Sequence, residues 1–462
     1  MRKRGNARGA KGRRKGRSVS NKDTEAKSTI VPEWAKQGEE IYGRWPWVER
    51  SVWSERMLQA LETGVKGGKW FSLIDKVWKR ENLGAAWVRT LLNQGSAGVD
   101  GQSIRQFTAR LEWEIGRLEE EIRDGSYEPL AVLRGWIAKL GSKEKRPLGI
   151  PAVRDRIAQG ATRNVIEPIF ERVFAEHSYG FRPGRGCKDA LRRVDDLLTT
   201  GKRWVVDVDF KSYFDTIPHD RMMERVKELI SDGRVLALLE KYLKAGVMER
   251  LKGWQPTEQG TPQGAVISPL LANLYLNPLD HLMAAQGYEM TRYADDFVVQ
   301  CLSEAEAKAA LELIRQWAQE NGLTVHPTKT RIVDATQKGG FDFLGYHFER
   351  GLKWPREKSM DKFKDVIRDR TRRTQGKSMS IIIAALNPRM RGWFEYFQHS
   401  HGSVFKDLDG WVRMRMRSIM RKHQGKTGRG RGSDHQKWPN AYFDKLGLFS
   451  LENAWHLALQ SR

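Results

Sequence analysis

The sequence predicts an α+β fold on three observations. The first is Thr291-Arg292-Tyr293-Ala294-Asp295-Asp296-Phe297-Val298-Val299, where two adjacent acids interrupt a β-prone run. The second is Trp204-Val205-Val206-Asp207-Val208-Asp209-Phe210, which alternates apolar and acidic side chains as a strand does. The third is the helical spacing of apolar residues across 30–125 and again from Met360 onward.

The acids carry the chemistry. A fully extended Asp-Asp pair points its carboxylates to opposite faces, so Asp295 and Asp296 converge only at a tight hairpin turn. Crowded carboxylates repel and favour a divalent cation; an ordinary Asp-Asp turn is the alternative that the dipeptide alone leaves open. Asp207 and Asp209 fall on one face of their strand, with Val206 and Val208 on the other. A third carboxylate from a separate strand is what two-metal phosphoryl transfer needs. One ion activates the attacking hydroxyl, the other steadies the leaving pyrophosphate, and oxygen ligands suit Mg2+.

With these residues in place, the chain resembles the reverse transcriptase/maturase proteins encoded by group II introns. The resemblance covers roughly residues 65–462. It is most specific at Gly260-Thr261-Pro262-Gln263-Gly264-Ala265 and at the following Ser268-Pro269-Leu270-Leu271-Ala272-Asn273. It implies a right-hand polymerase with fingers, a palm on an antiparallel sheet and a helical thumb. The expected divisions are a disordered basic tail (1–30), an N-terminal extension and fingers (31–200), and a palm (201–355). A thumb/maturase domain (356–424) and a small C-terminal DNA-binding region (425–462) complete the chain.

The resemblance further implies RNA-directed DNA synthesis together with binding of intron RNA to assist splicing and retromobility. Asp209, Asp295 and Asp296, with the Phe210 backbone, are expected to hold two Mg2+ ions. Lys139 and Arg146 are candidates for a triphosphate clamp, with solvated hairpin cations as the alternative. Phe214 is expected to stack under the sugar and exclude ribonucleotides, and Gln263 to read the nascent pair. Family members usually carry glycine where Ala265 stands. Arg182, Tyr293, Lys329, Leu344 and Gly345 are candidates for primer or template contact. Arg182 has a structural turn as its alternative, and Lys329 a plain surface lysine. His347 reads as structural.

The expected partners are group II intron RNA, an RNA template with a DNA primer, target DNA and dNTPs, with no membrane; the oligomeric state is left open. Many relatives carry a further cysteine- and histidine-bearing endonuclease domain. No such cluster precedes Arg462, so second-strand cleavage by this chain is not expected. Competing readings are a maturase without polymerase activity and a domesticated reverse transcriptase in defence or repair. An RNA-dependent RNA polymerase shares the palm, but Phe214 and the thumb motifs count against it.

Composition agrees with a polyanionic partner. Lys and Arg number 81 against 57 acids, for a net charge of +24, in a chain that also carries 17 Trp, 17 Phe and 11 Tyr. Residues 1–20 hold nine basic residues and no acid. The two cysteines, Cys187 and Cys301, supply neither a disulfide framework nor a cysteine zinc site, which points to a reducing interior; with the resemblance, the expected setting is the bacterial cytoplasm, associated with nucleoid and RNA. No apolar run approaches the ~18 residues of a membrane span.

The remaining elements follow in order. Phe107 to Ile122 predicts one amphipathic helix ending before Gly125. Trp136-Ile137-Ala138-Lys139 and Lys143 to Pro151 predict two strands joined by a basic turn. Asp155–Phe174 and Cys187–Leu198 predict helices on either side of the Gly- and Pro-rich Ser178–Gly186 loop. Glu304 to Asn321 predicts a helix closed by Gly322, and Leu323–Thr330 a strand. Phe341 to Phe348 matches the family's primer-gripping segment. Arg413, Arg415, Arg417, Arg421 and Lys422 predict an RNA-binding face on a thumb helix.

Overall fold

The computed structural model describes residues 40–138, 145–430 and 432–460. Residues 40–44 form a helical stretch in a first unit that ends at Pro46; everything below concerns the second unit, from Trp47 onward. The basic tail, Lys139 and the expected turn between the two fingers strands lie outside the described residues.

Three sheets organise the second unit. The first joins β1 (Val132–Ala138), β2 (Lys145–Ile150), β4 (Val247–Glu249) and β5 (Gly253–Gln255) in the order β2-β1-β4-β5. The second joins β3 (Trp204–Val208), β6 (Glu289–Tyr293), β7 (Asp296–Cys301) and β8 (Arg331–Asp334) in the order β6-β7-β3-β8, antiparallel throughout. The third is the meander β9 (Phe341–Phe343), β10 (Tyr346–Glu349) and β11 (Leu352–Pro355).

Helices pack on the second sheet: Glu304–Glu320 against β3 and β7, and Cys187–Thr199 and Ser268–Ala285 against β6. Burial is why Val205, Val206, Val208 and the Phe297–Val299 run read as nearly continuous apolar stretches. The 268–285 helix starts with Pro269 in its first turn and is buried almost all round, from Leu270 to Asn277.

Several elements differ from the sequence expectation. The single helix expected at 107–122 is two, Ile104–Thr108 and Leu111–Asp124. Ser103 and Gln106 form a capping box for the first, and the chain breaks at Arg110. That break lets Phe107, stacked on Trp87, and the Ile115–Leu118–Ile122 stripe all reach the core. The strand expected at 323–330 begins only at Arg331. Pro327 has no N–H for a ladder, and the preceding backbone wraps the end of β3 instead: Lys211 N donates to Thr324 O (2.9 Å) and His326 N to Asp209 O (2.7 Å).

The thumb helices Glu357–Arg370, Met379–Phe397 and Ser403–His423 share one core with the C-terminal segment. Trp438, Phe443, Leu448 and Leu451 pack with Val412, Met416 and Ile419, so a boundary at 424/425 does not separate two cores. Most of the arginines expected to face RNA hold this junction together. Arg413 pairs with Asp409 and Asp444, and Arg417 donates to Trp438 O and Asn440 Oδ1. Arg421 pairs with Asp434, and Arg415 donates to Thr371 Oγ1. Helical spacing gives the charge but not which face finds acceptors; Lys422 alone of the five is exposed.

Candidate active site

In the β6–β7 hairpin Tyr293 pairs with Asp296, leaving Ala294 and Asp295 as a two-residue turn. Ala294 adopts φ 60°, a left-handed conformation that costs a non-glycine residue about 1–2 kcal/mol. The turn is packed from below. Tyr179 N donates to Arg292 O (2.8 Å), Arg292 N donates to His177 O (3.0 Å), and Gly180 lies directly against the Ala294 backbone.

A buried network grips it from within. Arg292 is fully buried, and its Nε reaches both oxygens of Asp280 at 2.8 and 3.0 Å. Its Nη1 donates to Ala294 O (2.8 Å) and Asn273 Oδ1 (2.9 Å), while Asn273 Nδ2 donates to Gly180 O (2.6 Å). Sequence reasoning passed over Arg292, Asp280 and Asn273. The available signal was a charged residue at an apolar strand position and an acid seven residues after Asn273 on an apolar helix.

Asp209 lies one residue beyond β3, and the register that sets Val208 opposite Phe297 brings it beside the hairpin. Phe210 is fixed by its ring contacts with Tyr213 and Phe297. The Asp209 carboxylate pairs with the Lys329 ammonium, and Asp207 pairs with Arg331 at 3.2 Å. Asp296 faces the open cleft, yet the walls are close. Burial first, then the charges of Asp207, Asp295 and Asp209, push its carboxyl up to about 7.

Among the described residues no three His, Cys, Asp or Glu side chains already close into a metal cage. Asp209 is engaged by Lys329. The donor set still fits a hard divalent ion: the groups are carboxylates, and their mutual repulsion at Asp296 is what such an ion would relieve.

The expected nucleotide residues lie on the short helix after β3 and on the 260–264 loop. Phe214 is half-buried, its ring edge-on to Tyr213 at 5.4 Å, and its carbonyl accepts from Thr261 N at 2.6 Å. Gln263 O accepts from Gly149 N (2.5 Å), so the 260–264 loop rests on β2. Gly264 takes the positive φ (110°) beside Gly149, and Ala265 does not need one, so a methyl at 265 is tolerated. Arg146 sits on β2 opposite Ile137, with its side chain outside the described residues.

On the opposite side, Leu344 (φ 47°) and Gly345 (φ 87°) form the turn between β9 and β10. Tyr396 Oη donates to Leu344 O (2.7 Å), and Arg356 N to Gly345 O (2.9 Å), tying this turn to the thumb. A cavity of about 540 Å3 runs from Asp296 past Leu344 and Gly345 and is lined by the exposed cations Arg356, Lys362 and Arg389. None of these three was singled out from sequence: Lys362 and Arg389 lie on thumb helices, Arg356 just before the first of them, and charge alone does not show which cations face the cleft. Tyr293 lies 6.2 Å from the Phe181 ring, and His347 Nδ1 bonds Asp342 at 2.7 Å in a surface sheet. Arg182 is not a nucleic-acid contact: it is buried, forks onto Glu171, and donates to the Ala175 and Ser178 carbonyls. With Nε, both Nη1 protons and one Nη2 proton spent on these acceptors, the buried guanidinium serves the structural turn.

Residues 137–348 match the family described as reverse transcriptase (RNA-dependent DNA polymerase). Residues 360–438 match the group II intron maturase-specific domain. The Escherichia coli K12 protein YkfC is 36% identical, over 60% of this chain and 83% of YkfC. The group II intron-encoded protein LtrA of Lactococcus lactis subsp. cremoris is 43% identical over 37% of this chain; the match spans 28% of LtrA. Among solved structures, a partial Cas6-RT-Cas1–Cas2 complex aligns at a TM-score of 0.34 and 24% identity, covering 54% of this chain and 41% of that one.

Proposed function

Because the chain belongs to the group II intron reverse transcriptase/maturase family, we propose that it extends a DNA primer on an RNA template at the cleft between Asp209 and the Asp295–Asp296 turn. RNA-directed DNA polymerase is the activity of its family, and the maturase domain carries the splicing role. The observation that carries the residue assignment is the register of β3 against β7. It brings one strand-end carboxylate beside a two-acid hairpin, where burial and then the neighbouring carboxylates raise Asp296.

In this reading Asp209, Asp295 and Asp296, with the Phe210 carbonyl, hold two Mg2+ ions. Bound Mg2+ would supply hydroxyl activation and charge neutralisation at the pyrophosphate. Phe214 bounds the sugar, and Gln263 sits across from it on a loop braced by Gly149. Arg146, and Lys139 beyond the described residues, would meet the triphosphate. The Leu344–Gly345 turn and the cations of the adjoining cavity would meet the primer backbone, where phosphate contacts position without reading sequence. Lys329 would release Asp209 as metal binds. Tyr293, beside Phe181, would border the template. Intron RNA, target DNA and a cytoplasmic, RNA-associated setting belong to the same proposal. Among the described residues no helix is long and apolar enough to cross a membrane.

Primer extension on an RNA template with Mg2+ tests it. Wild type should extend with dNTPs and poorly with rNTPs, and Asp295→Ala should lose extension while keeping RNA affinity. Extension by the variant overturns the carboxylate assignment. No extension by wild type, with tight salt-sensitive RNA binding, favours a maturase without polymerase activity.

A further inference from the structure

We propose that Arg292, held by Asp280 and Asn273, is the positioning residue of the Asp295-bearing turn; this rests on the polymerase reading of the cleft. Its contacts differ in kind from those of an ordinary buried ion pair. The guanidinium forks onto Asp280 with Nε and Nη2 and spends Nη1 on the Ala294 carbonyl and Asn273. The Ala294 carbonyl belongs to the peptide that delivers Asp295, so its direction sets where that carboxylate leaves the turn. Asn273 carries the same grip to the other side, since it holds the carbonyl of Gly180, the residue packed under Ala294.

Asn273 and Asp280 stand two helical turns apart and therefore on one face of the 268–285 helix. The turn is thus fixed to a buried helix rather than to its own strands alone, which a left-handed Ala294 makes necessary. Full burial excludes a direct role for Arg292 in binding nucleic acid. Lysine could not replace it, because one ammonium cannot fork onto a carboxylate while reaching a carbonyl on another side. By contrast, Arg182 of the buried Arg182–Glu171 pair bonds carbonyls of its own loop, at Ala175 and Ser178, and none in the hairpin.

The test compares wild type with Arg292→Lys, Asn273→Ser and Asp232→Ala. Asp232 caps the 233–244 helix and accepts from Leu73 N and Ile74 N, away from the hairpin, so it serves as a stability control. The readouts are melting temperature, kcat and dNTP KM in RNA-templated extension, and Mn2+ binding by electron paramagnetic resonance without nucleotide. Arg292→Lys should lower kcat about 100-fold with KM little changed, as expected for misplaced reacting groups, and should weaken Mn2+ binding. Asn273→Ser should move kcat and Mn2+ binding the same way by less, and it decides the matter if Arg292→Lys does not fold. Asp232→Ala should lower the melting temperature and leave kcat and Mn2+ binding alone. A folded Arg292→Lys with wild-type kcat and Mn2+ binding overturns the inference, as does Asp232→Ala reproducing its kcat loss. Wild type that fails to extend any RNA-templated primer overturns the polymerase reading instead.

Discussion

Gly180 lies so close beneath Ala294 that a β-carbon on the glycine would overlap the Ala294 amide nitrogen. The two residues are 114 positions apart, so only folding brings the glycine under the turn that carries Asp295. Gly180 is not held to glycine by its φ, which is outside the left-handed region, but by the space beneath the turn. Gly180→Ala should therefore push the hairpin outward. Extension should fall at least about tenfold, while RNA affinity, measured by filter binding at fixed salt, stays near wild type.

Phe214→Ala should relax sugar discrimination. Its backbone is pinned by Thr261 N at 2.6 Å, so truncating the ring removes the wall without moving the loop. The ratio of kcat/KM for dNTP over rNTP should fall by about tenfold or more, as when a pocket loses its excluding group. An unchanged ratio would remove Phe214 from the sugar site.

Asp155 makes stability pH-dependent. Burial pushes its carboxyl up to about 6 from 3.8, against the opposing hydrogen bonds from Tyr127 Oη and Leu130 N. A raised folded-state pKa means the native protein holds this proton more tightly than the unfolded chain. Its contribution is complete below about pH 4 and is lost as pH rises to about 6. Melting temperatures across pH 4–7 should show that decline in wild type and not in Asp155→Asn.

Asp409 ties the last helix to the thumb. Its carboxylate accepts from Ser450 Oγ (2.7 Å), Leu451 N (3.0 Å) and Glu452 N (3.2 Å), although its own position is on the 403–423 helix. Asp409→Ala should cost about 2 kcal/mol, in the range for buried charged hydrogen bonds. Limited proteolysis should then cut first near residue 450, with extension retained.

The acids, their order and their turn were legible in the chain alone. An Asp-Asp pair between β-prone residues can converge only at a hairpin tip, and Asp209 ends an alternating run that can only be a strand. The 260–276 loop and helix were legible too, because Gly, Pro and a long apolar run leave little choice locally. Where long polar side chains spend their donors emerged only with packing. Arg182, Arg413 and Arg417 look like phosphate ligands by charge, yet all three are buried and held by acceptors inside the protein. Arg292 sits beside the acids in sequence, but its grip on the Ala294 carbonyl requires Asp280 and Asn273 from a helix that folds beneath the sheet. A guanidinium's charge is written in the chain, whereas its acceptors are chosen by packing, and packing is non-local.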